Sequence, residues 1–220
     1  MTVQAVSRDR LAAKLRHLAE LPFNFDPASE PAEADIWFKD EYAIRIPSEA
    51  LGSVVEGGSF EVAKDYLSAY RFPNPRRIVG YFDREAPLQG RNMLLRASFA
   101  GFVFEFGVRV FRVIDEQVDS AQGPLAVWGY SYRTLEGHWE KGEICFCVEK
   151  QLNSGRVMVR IRSHSRIGSI PNVIHRAGFR LAGRSLQKEF ARDGMHRTRA
   201  HVERHLRKTS TQLAPQPDEA

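Results

Sequence analysis

The chain has 220 residues, 43% apolar and 27% charged, with two cysteines and a formal net charge of +5. That size and mixture suit one globular domain with extensions and a substantial core, and argue against a fibrous, low-complexity or disulfide-stapled protein. No apolar run approaches the roughly 20 residues a membrane-spanning helix needs, and the first residues lack the apolar core of a secretory signal. Cys145 and Cys147, two apart in a strand pattern, make no disulfide framework, so a reduced, cytoplasmic setting is expected.

Ser7–Glu20 carries Leu11, Leu15 and Leu18 on one helical face and predicts a short amphipathic helix. Pro22, Pro27 and Pro31 end it, and the acidic stretch Asp26–Asp35 reads as loop. Residues 1–40 are thus expected to form an N-terminal extension that packs on the domain through Leu11–Phe25. Glu41–Ile46 predicts the first strand, closed by Pro47. Ser59 opens a second helix with Phe60, Ala63, Leu67 and Tyr70 on one face, and Pro73 stops it. Gly57-Gly58-Ser59 lacks the lysine and spacing of a phosphate loop and reads as a helix cap.

Strands follow. Arg77–Phe82 is short; Asn92–Phe99 and Phe102–Ile114 meet at a turn at Ala100–Gly101, and Phe102, Phe104, Phe106, Val108 and Val110 share one face. Gln117–Gly123 reads as a loop. Leu125–Leu135, Glu143–Gln151 and Arg156–Ser163 predict consecutive antiparallel strands, the last two joined by Asn153-Ser154-Gly155. Alternation puts Ile144, Phe146 and Val148 on one face and Glu143, Cys145, Cys147 and Glu149 on the other.

The stretch Ile170–Leu206 predicts a long helix, with Ser169 as cap, Pro171 in the first turn and Ile170, Val173, Ile174, Ala177, Leu181 and Ser185 as its apolar stripe. At about 1.5 Å per residue it would outrun a compact domain, so a bend or stop is expected near Gly194, with the His- and Arg-rich remainder projecting or fraying. From Arg156 to Lys208 there are fourteen Lys and Arg against three acidic residues. Residues 208–220 are expected to be a disordered tail.

Element order therefore predicts an α+β domain over residues 41–207: a curved antiparallel sheet of about six to seven strands, covered by a long C-terminal helix. Such a layer pair often encloses a cavity for a small ligand.

The run Gly129-Tyr-Ser-Tyr-Arg-Thr-Leu-Glu-Gly-His138, followed by Gly142-Glu143 and by Phe146-x-Val148-Glu149, resembles the signature of a bacterial and plant family catalogued as domain of unknown function 1990. Ser165-Arg166 and Arg184-x-x-Gln187-x-x-Phe190-Ala191-Arg192-Asp193 extend the likeness, which departs at His164 and Ile167, where an aromatic and a proline are usual. The resemblance implies a START-like helix-grip fold and no established activity.

The candidate ligand-binding residues are Tyr132, Thr134, His138, Glu143, Arg184 and Gln187. His138 and Glu143 could act as an acid–base or orienting pair at a cavity mouth, with Tyr132 or Thr134 donating to a ligand. The competing reading is structural: Gly137 and Gly142 supply special backbone angles, while His138 or Glu143 holds the loop. Arg184 and Gln187 could bind an anionic head group, or lock helix to sheet through Glu143 or Glu149. Cys145, Cys147 and His164 lack zinc spacing, so no metal is expected. No nucleophile elbow, dinucleotide fingerprint or His-Glu-x-x-His occurs, so no cofactor is expected.

These features favour a module for a small hydrophobic or amphipathic ligand. The alternatives are an enzyme using His138 and Glu143, and an interaction protein binding nucleic acid or anionic membrane through the basic helix. The basic segment His196–Lys208 has no aromatic residue for stacking, which argues against nucleic acid.

Overall fold

The computed structural model describes residues 8–26, 37–99, 102–168 and 173–213; side chains at 99, 102, 173–184 and 212–213 also lie outside the described set. The expected turn at Ala100–Gly101, the Ser169 cap, Pro171, the stripe side chains from Ile170 to Leu181 and the side chain of Arg184 therefore fall outside the described residues.

Seven strands form one antiparallel sheet in the order β1-β7-β6-β5-β4-β3-β2. They are β1 (Phe38–Ile46), β2 (Ile78–Tyr81), β3 (Asn92–Phe99), β4 (Phe102–Ser120), β5 (Gly123–Thr134), β6 (Glu140–Gln151) and β7 (Val157–Ile167). Helix α2 (Ser59–Ser68) lies between β1 and β2, and α3 (Val173–Leu213) follows β7. Both helices pack on one face of the sheet, the inner face, α2 against β5–β7 and α3 against α2, β1 and β7. Alternation sets that face: Met93, Leu95, Val108, Val110, Trp128, Tyr130, Tyr132, Phe146, Val148, Val159 and Ile161 all bury inward.

Several features depart from the sequence expectation. The loop expected at Gln117–Gly123 is a tight hairpin: β4 runs to Ser120, Ser120 pairs with Gly123, and Gly123 takes φ +102°. The helix does not stop at Gly194. It continues to Leu213, into residues 208–213 that were expected to be disordered tail, and Gly194 lets it approach Phe72, whose Cδ2 lies 2.9 Å from where a Cβ would stand. Nor does its C-terminal part project freely: Ala191, Met195, Thr198 and Val202 recur at helical spacing and are buried, His201 stacks on Tyr66 at 4.1 Å, and Arg197 donates to the Phe72 carbonyl.

Ser59 does not cap α2 through its side chain. Its hydroxyl is buried without a partner among the described residues, Gly58 stands at the cap position, and Glu49 supplies the bonds: Oε1 accepts the Phe60 N–H at 2.7 Å and Oε2 the Val55 N–H at 3.2 Å. Lys150 meets the same carboxylate at 2.9 Å and donates to the Ser53 carbonyl at 2.5 Å, with its side chain fully buried. One buried ion pair thus ties the end of β6 to the start of α2.

The outer face carries α1 (Arg8–Glu20), whose Leu11, Leu15 and Leu18 pack with Leu21, Phe23, Leu94 and Leu135. Gly107 makes room for it, since a Cβ there would stand 2.5 Å from Leu18 Cδ2. Arg109 donates to the carbonyls of Leu18, Ala19 and Leu21, which satisfies the C-terminal end of α1. Among the described residues no helix is long and apolar enough to cross a membrane.

Candidate functional site

The inner face is densely aromatic. Phe146 is met by Phe72 at 4.7 Å, Tyr130 at 5.4 Å, Tyr132 at 5.6 Å and Phe190 at 6.4 Å. Tyr130 anchors the floor by donating to the Leu67 carbonyl at 3.1 Å. Tyr132, one of the expected site residues, is buried in this cluster beside Tyr70. Burial is the main cause that raises its hydroxyl well above the ordinary phenol range; the nearby Tyr70 hydroxyl opposes that and the Glu140 carboxylate adds to it, so Tyr132 is a neutral donor.

Tyr70 departs from normal in two independent ways. It follows α2 with a left-handed backbone, φ +51°, as the only described non-glycine residue with positive φ. Its amide donates to the Leu67 carbonyl and that of Arg71 to the Tyr66 carbonyl, so it closes the helix in the position usually given to glycine. The residue is 7% exposed, yet its hydroxyl makes no hydrogen bond of ordinary geometry with the described residues. The Tyr132 phenol is its polar neighbour and accepts a weak, long hydrogen bond from it, so that each hydroxyl shifts the other's ionisation. The sequence places Tyr70 on the apolar face of α2, but neither feature is visible there.

The hairpin between β5 and β6 closes one end of this face. His138 packs on Phe106 at 4.6 Å, and Trp139 sits edge-on to Phe104 at 4.8 Å and Phe106 at 5.5 Å. The His138 Nδ1 accepts the Glu140 N–H at 2.9 Å, which leaves Nε2 to carry the proton of the neutral ring. Burial drives its pKa down to about 3, outweighing the opposing effect of that hydrogen bond. Gly137 does take positive φ, +83°, whereas Gly142 serves close approach instead: a Cβ there would stand 2.7 Å from the His164 carbonyl.

Thr134 is engaged with the frame. Its hydroxyl contacts Asn24 Oδ1 at 2.6 Å and accepts the Gly142 N–H at 3.0 Å, while Asn24 also donates to the Glu140 carbonyl. Glu143 lies on the outer face, paired with Arg133 at 2.8 Å. Arg133 in turn lies over the Phe111 ring, 3.9 Å from its centroid. His138 and Glu143 are therefore placed on different sides of the sheet. Gln187 reaches from α3 to the Glu140 carboxylate and lies 3.4 Å from the Ser165 hydroxyl. Glu149, offered as a partner for the helix, pairs with Arg160 and Arg162.

The fold thus gathers Tyr132 and Gln187 with residues that were not among the expected site residues, namely Tyr70, Glu140 and Ser165, beside an apolar wall of Phe104, Phe106 and Trp139. Among the described residues no group of three or more His, Cys, Asp or Glu could hold a metal ion.

A curved seven-stranded antiparallel sheet gripped by a C-terminal helix defines the helix-grip class. Within that class the chain belongs to the family described as Domain of unknown function (DUF1990), whose profile matches residues 29–197. No curated protein matches in sequence. Among solved structures, the Zhui aromatase/cyclase from Streptomyces sp. R1128 is similar at 14% identity and TM-score 0.51, over 79% of this chain and 98% of that one. A Thermus thermophilus protein is similar at 12% identity and TM-score 0.46, over 76% of this chain and 96% of that one.

Proposed function

We propose that the chain binds a small hydrophobic or amphipathic ligand between the inner face of the sheet and α3. The observation that carries this reading is Tyr70: a phenol held by a left-handed backbone, buried among aromatic rings, whose hydroxyl has only a weak contact with Tyr132 among the described residues. An unpartnered buried hydroxyl costs about 1–3 kcal/mol, and a left-handed tyrosine a further 1 kcal/mol or so. Strain of that kind concentrates where a protein meets a ligand. The ligand's polar atom accepts from Tyr70 or Tyr132, and its apolar body lies along Phe104, Phe106 and Trp139. Glu140 and Gln187 supply the polar rim at the helix side. A neutral His138 contributes packing and an Nε2–H donor to this arrangement.

The apolar, anionic probe 1-anilinonaphthalene-8-sulfonate, titrated into the full chain, tests the reading. One saturable site with enhanced emission is expected, weakened several-fold by Phe106→Ser. Absence of saturable uptake, or uptake indifferent to Phe106, counts against it.

A further inference from the structure

The outer face carries a second chemical feature, far in role from the aromatic interior. Cys145 and Cys147 point outward from β6 with their sulfurs 3.0 Å apart. Register builds a row of polar neighbours around Cys145. Ser131 stands opposite it on β5, Arg162 opposite it on β7, and Arg112 lies beyond Ser131 on β4. Arg162 also pairs with Glu41 at 3.2 Å and Glu149 at 3.7 Å, so its charge is shared with two carboxylates on this face. Cys147 stands opposite Gly129, and that glycine seats its sulfur, because a Cβ at 129 would lie 2.8 Å from Cys147 Sγ. Cys145 is part-exposed and Cys147 buried. The pair is therefore asymmetric, with Cys145 the more accessible of the two cysteines.

We propose that Cys145 is a hydroperoxide-reactive thiol, activated by the Cys147 S–H and the flanking guanidinium groups and oxidised to a sulfenate. The Cys145 thiolate attacks the terminal oxygen of the hydroperoxide. An S–O bond forms and the O–O bond breaks; the leaving alkoxide or hydroxide takes a proton from water, and sulfur is oxidised by two electrons as the peroxide is reduced. The hydrogen bond from Cys147 is the main cause that holds the Cys145 thiol down at about 7 against the opposing effect of burial, with Ser131, Arg162 and Arg112 assisting. The same bond, together with burial, pushes Cys147 far up, so it stays a protonated donor.

Cys147 does not resolve the sulfenate. Two residues apart on an extended strand, Cβ atoms stand about 6–7 Å from each other, whereas a disulfide needs about 3.5–4.5 Å. Two external thiols return Cys145 to its reduced state instead: one condenses with the sulfenic acid to a mixed disulfide and water, and the second displaces Cys145 from it, leaving their own disulfide.

Relative to an ordinary thiol near 8.5, lowering to about 7 raises the thiolate fraction at pH 7 roughly sixteenfold, and weaker intrinsic nucleophilicity takes back about fivefold. Cys145 should therefore react roughly threefold faster than a free thiol. The test treats the folded full chain with limiting hydrogen peroxide, traps sulfenate with a 1,3-dicarbonyl probe, and reads adducts by peptide mass. Expected are an adduct on Cys145 alone, no intrachain disulfide, and an iodoacetamide rate–pH midpoint near 7 that moves toward the ordinary thiol value in Cys147→Ala. Equal labelling of both cysteines, a Cys145–Cys147 disulfide, or a midpoint unmoved by Cys147→Ala overturns the proposal. Cys147→Ser, which keeps a donor at that position, separates loss of the hydrogen bond from loss of folding: it should retain part of the lowered midpoint.

Discussion

Replacing Tyr70 with phenylalanine removes a single oxygen from the centre of the proposed site. That hydroxyl is buried and makes no hydrogen bond of ordinary geometry with the described residues, so its removal breaks only the weak contact with Tyr132. The stability of the ligand-free protein should rise by about 1–3 kcal/mol, the desolvation penalty of an unsatisfied polar group. For a chain of this length each kcal/mol moves Tm by about 2–4 °C. Tyr130→Phe is the internal control. It removes a chemically identical atom that donates to the Leu67 carbonyl at 3.1 Å, and it should lower stability by about 0.5–1.5 kcal/mol. Urea unfolding of the two variants and the parent, after denaturing extraction and refolding to remove any bound molecule, measures both shifts. Opposite signs support the assignment. If Tyr70→Phe is destabilised as much as Tyr130→Phe, the hydroxyl is satisfied in the folded protein, with Tyr132 as its nearest candidate partner, and the reasoning fails.

Lys150→Met should cost about 3–5 kcal/mol in the same assay, because it leaves Glu49 as a buried carboxylate without its cation; a loss below about 1 kcal/mol would contradict the pairing at 2.9 Å. Lowering the pH should weaken the fold through His138, whose folded pKa is depressed to about 3 from an unfolded value near 6.5. Its contribution is complete above the unfolded pKa and declines as pH falls from about 6.5 toward 3, by about 1 kcal/mol at pH 5.5. His138→Gln should flatten that decline, and an unchanged slope would remove His138 as its source. Gly107→Ala should displace Leu18 and loosen α1, read as faster proteolysis near Glu20 with the sheet intact; unchanged protection would show that the outer face accommodates the methyl group.

Much of the fold is legible in residue periodicity. Alternation through Ile144, Phe146 and Val148 assigns the inner face, and the glycine-terminated turn at Asn153–Gly155 sets the β6–β7 register. The polar stretch Asp115–Ser120 conceals a strand because, toward the β4–β5 hairpin, Glu116, Gln117 and Asp119 are exposed and the strand has no amphipathic signature there. The buried end of α3 is hidden for the opposite reason: charge dominates its composition, while Ala191, Met195, Thr198 and Val202 form too slim a stripe to stand out. The site was less visible. Alternation alone puts Glu143 on the face opposite Ile144, and the structure shows it there with Arg133. Tyr70, Glu140 and Ser165 converge with Gln187 only through long-range packing, and the weakly matched Tyr70 hydroxyl has no sequence signature at all.

Whether a small guest occupies the space between sheet and helix is tested most directly by native mass spectrometry of the full chain, purified without detergent. Expected is a species heavier than the polypeptide that reverts to the polypeptide mass on denaturation, releasing an apolar or amphipathic molecule into organic solvent, with lower occupancy in Phe106→Ser. Bare polypeptide as the sole species, together with no uptake of 1-anilinonaphthalene-8-sulfonate, would contradict ligand binding there.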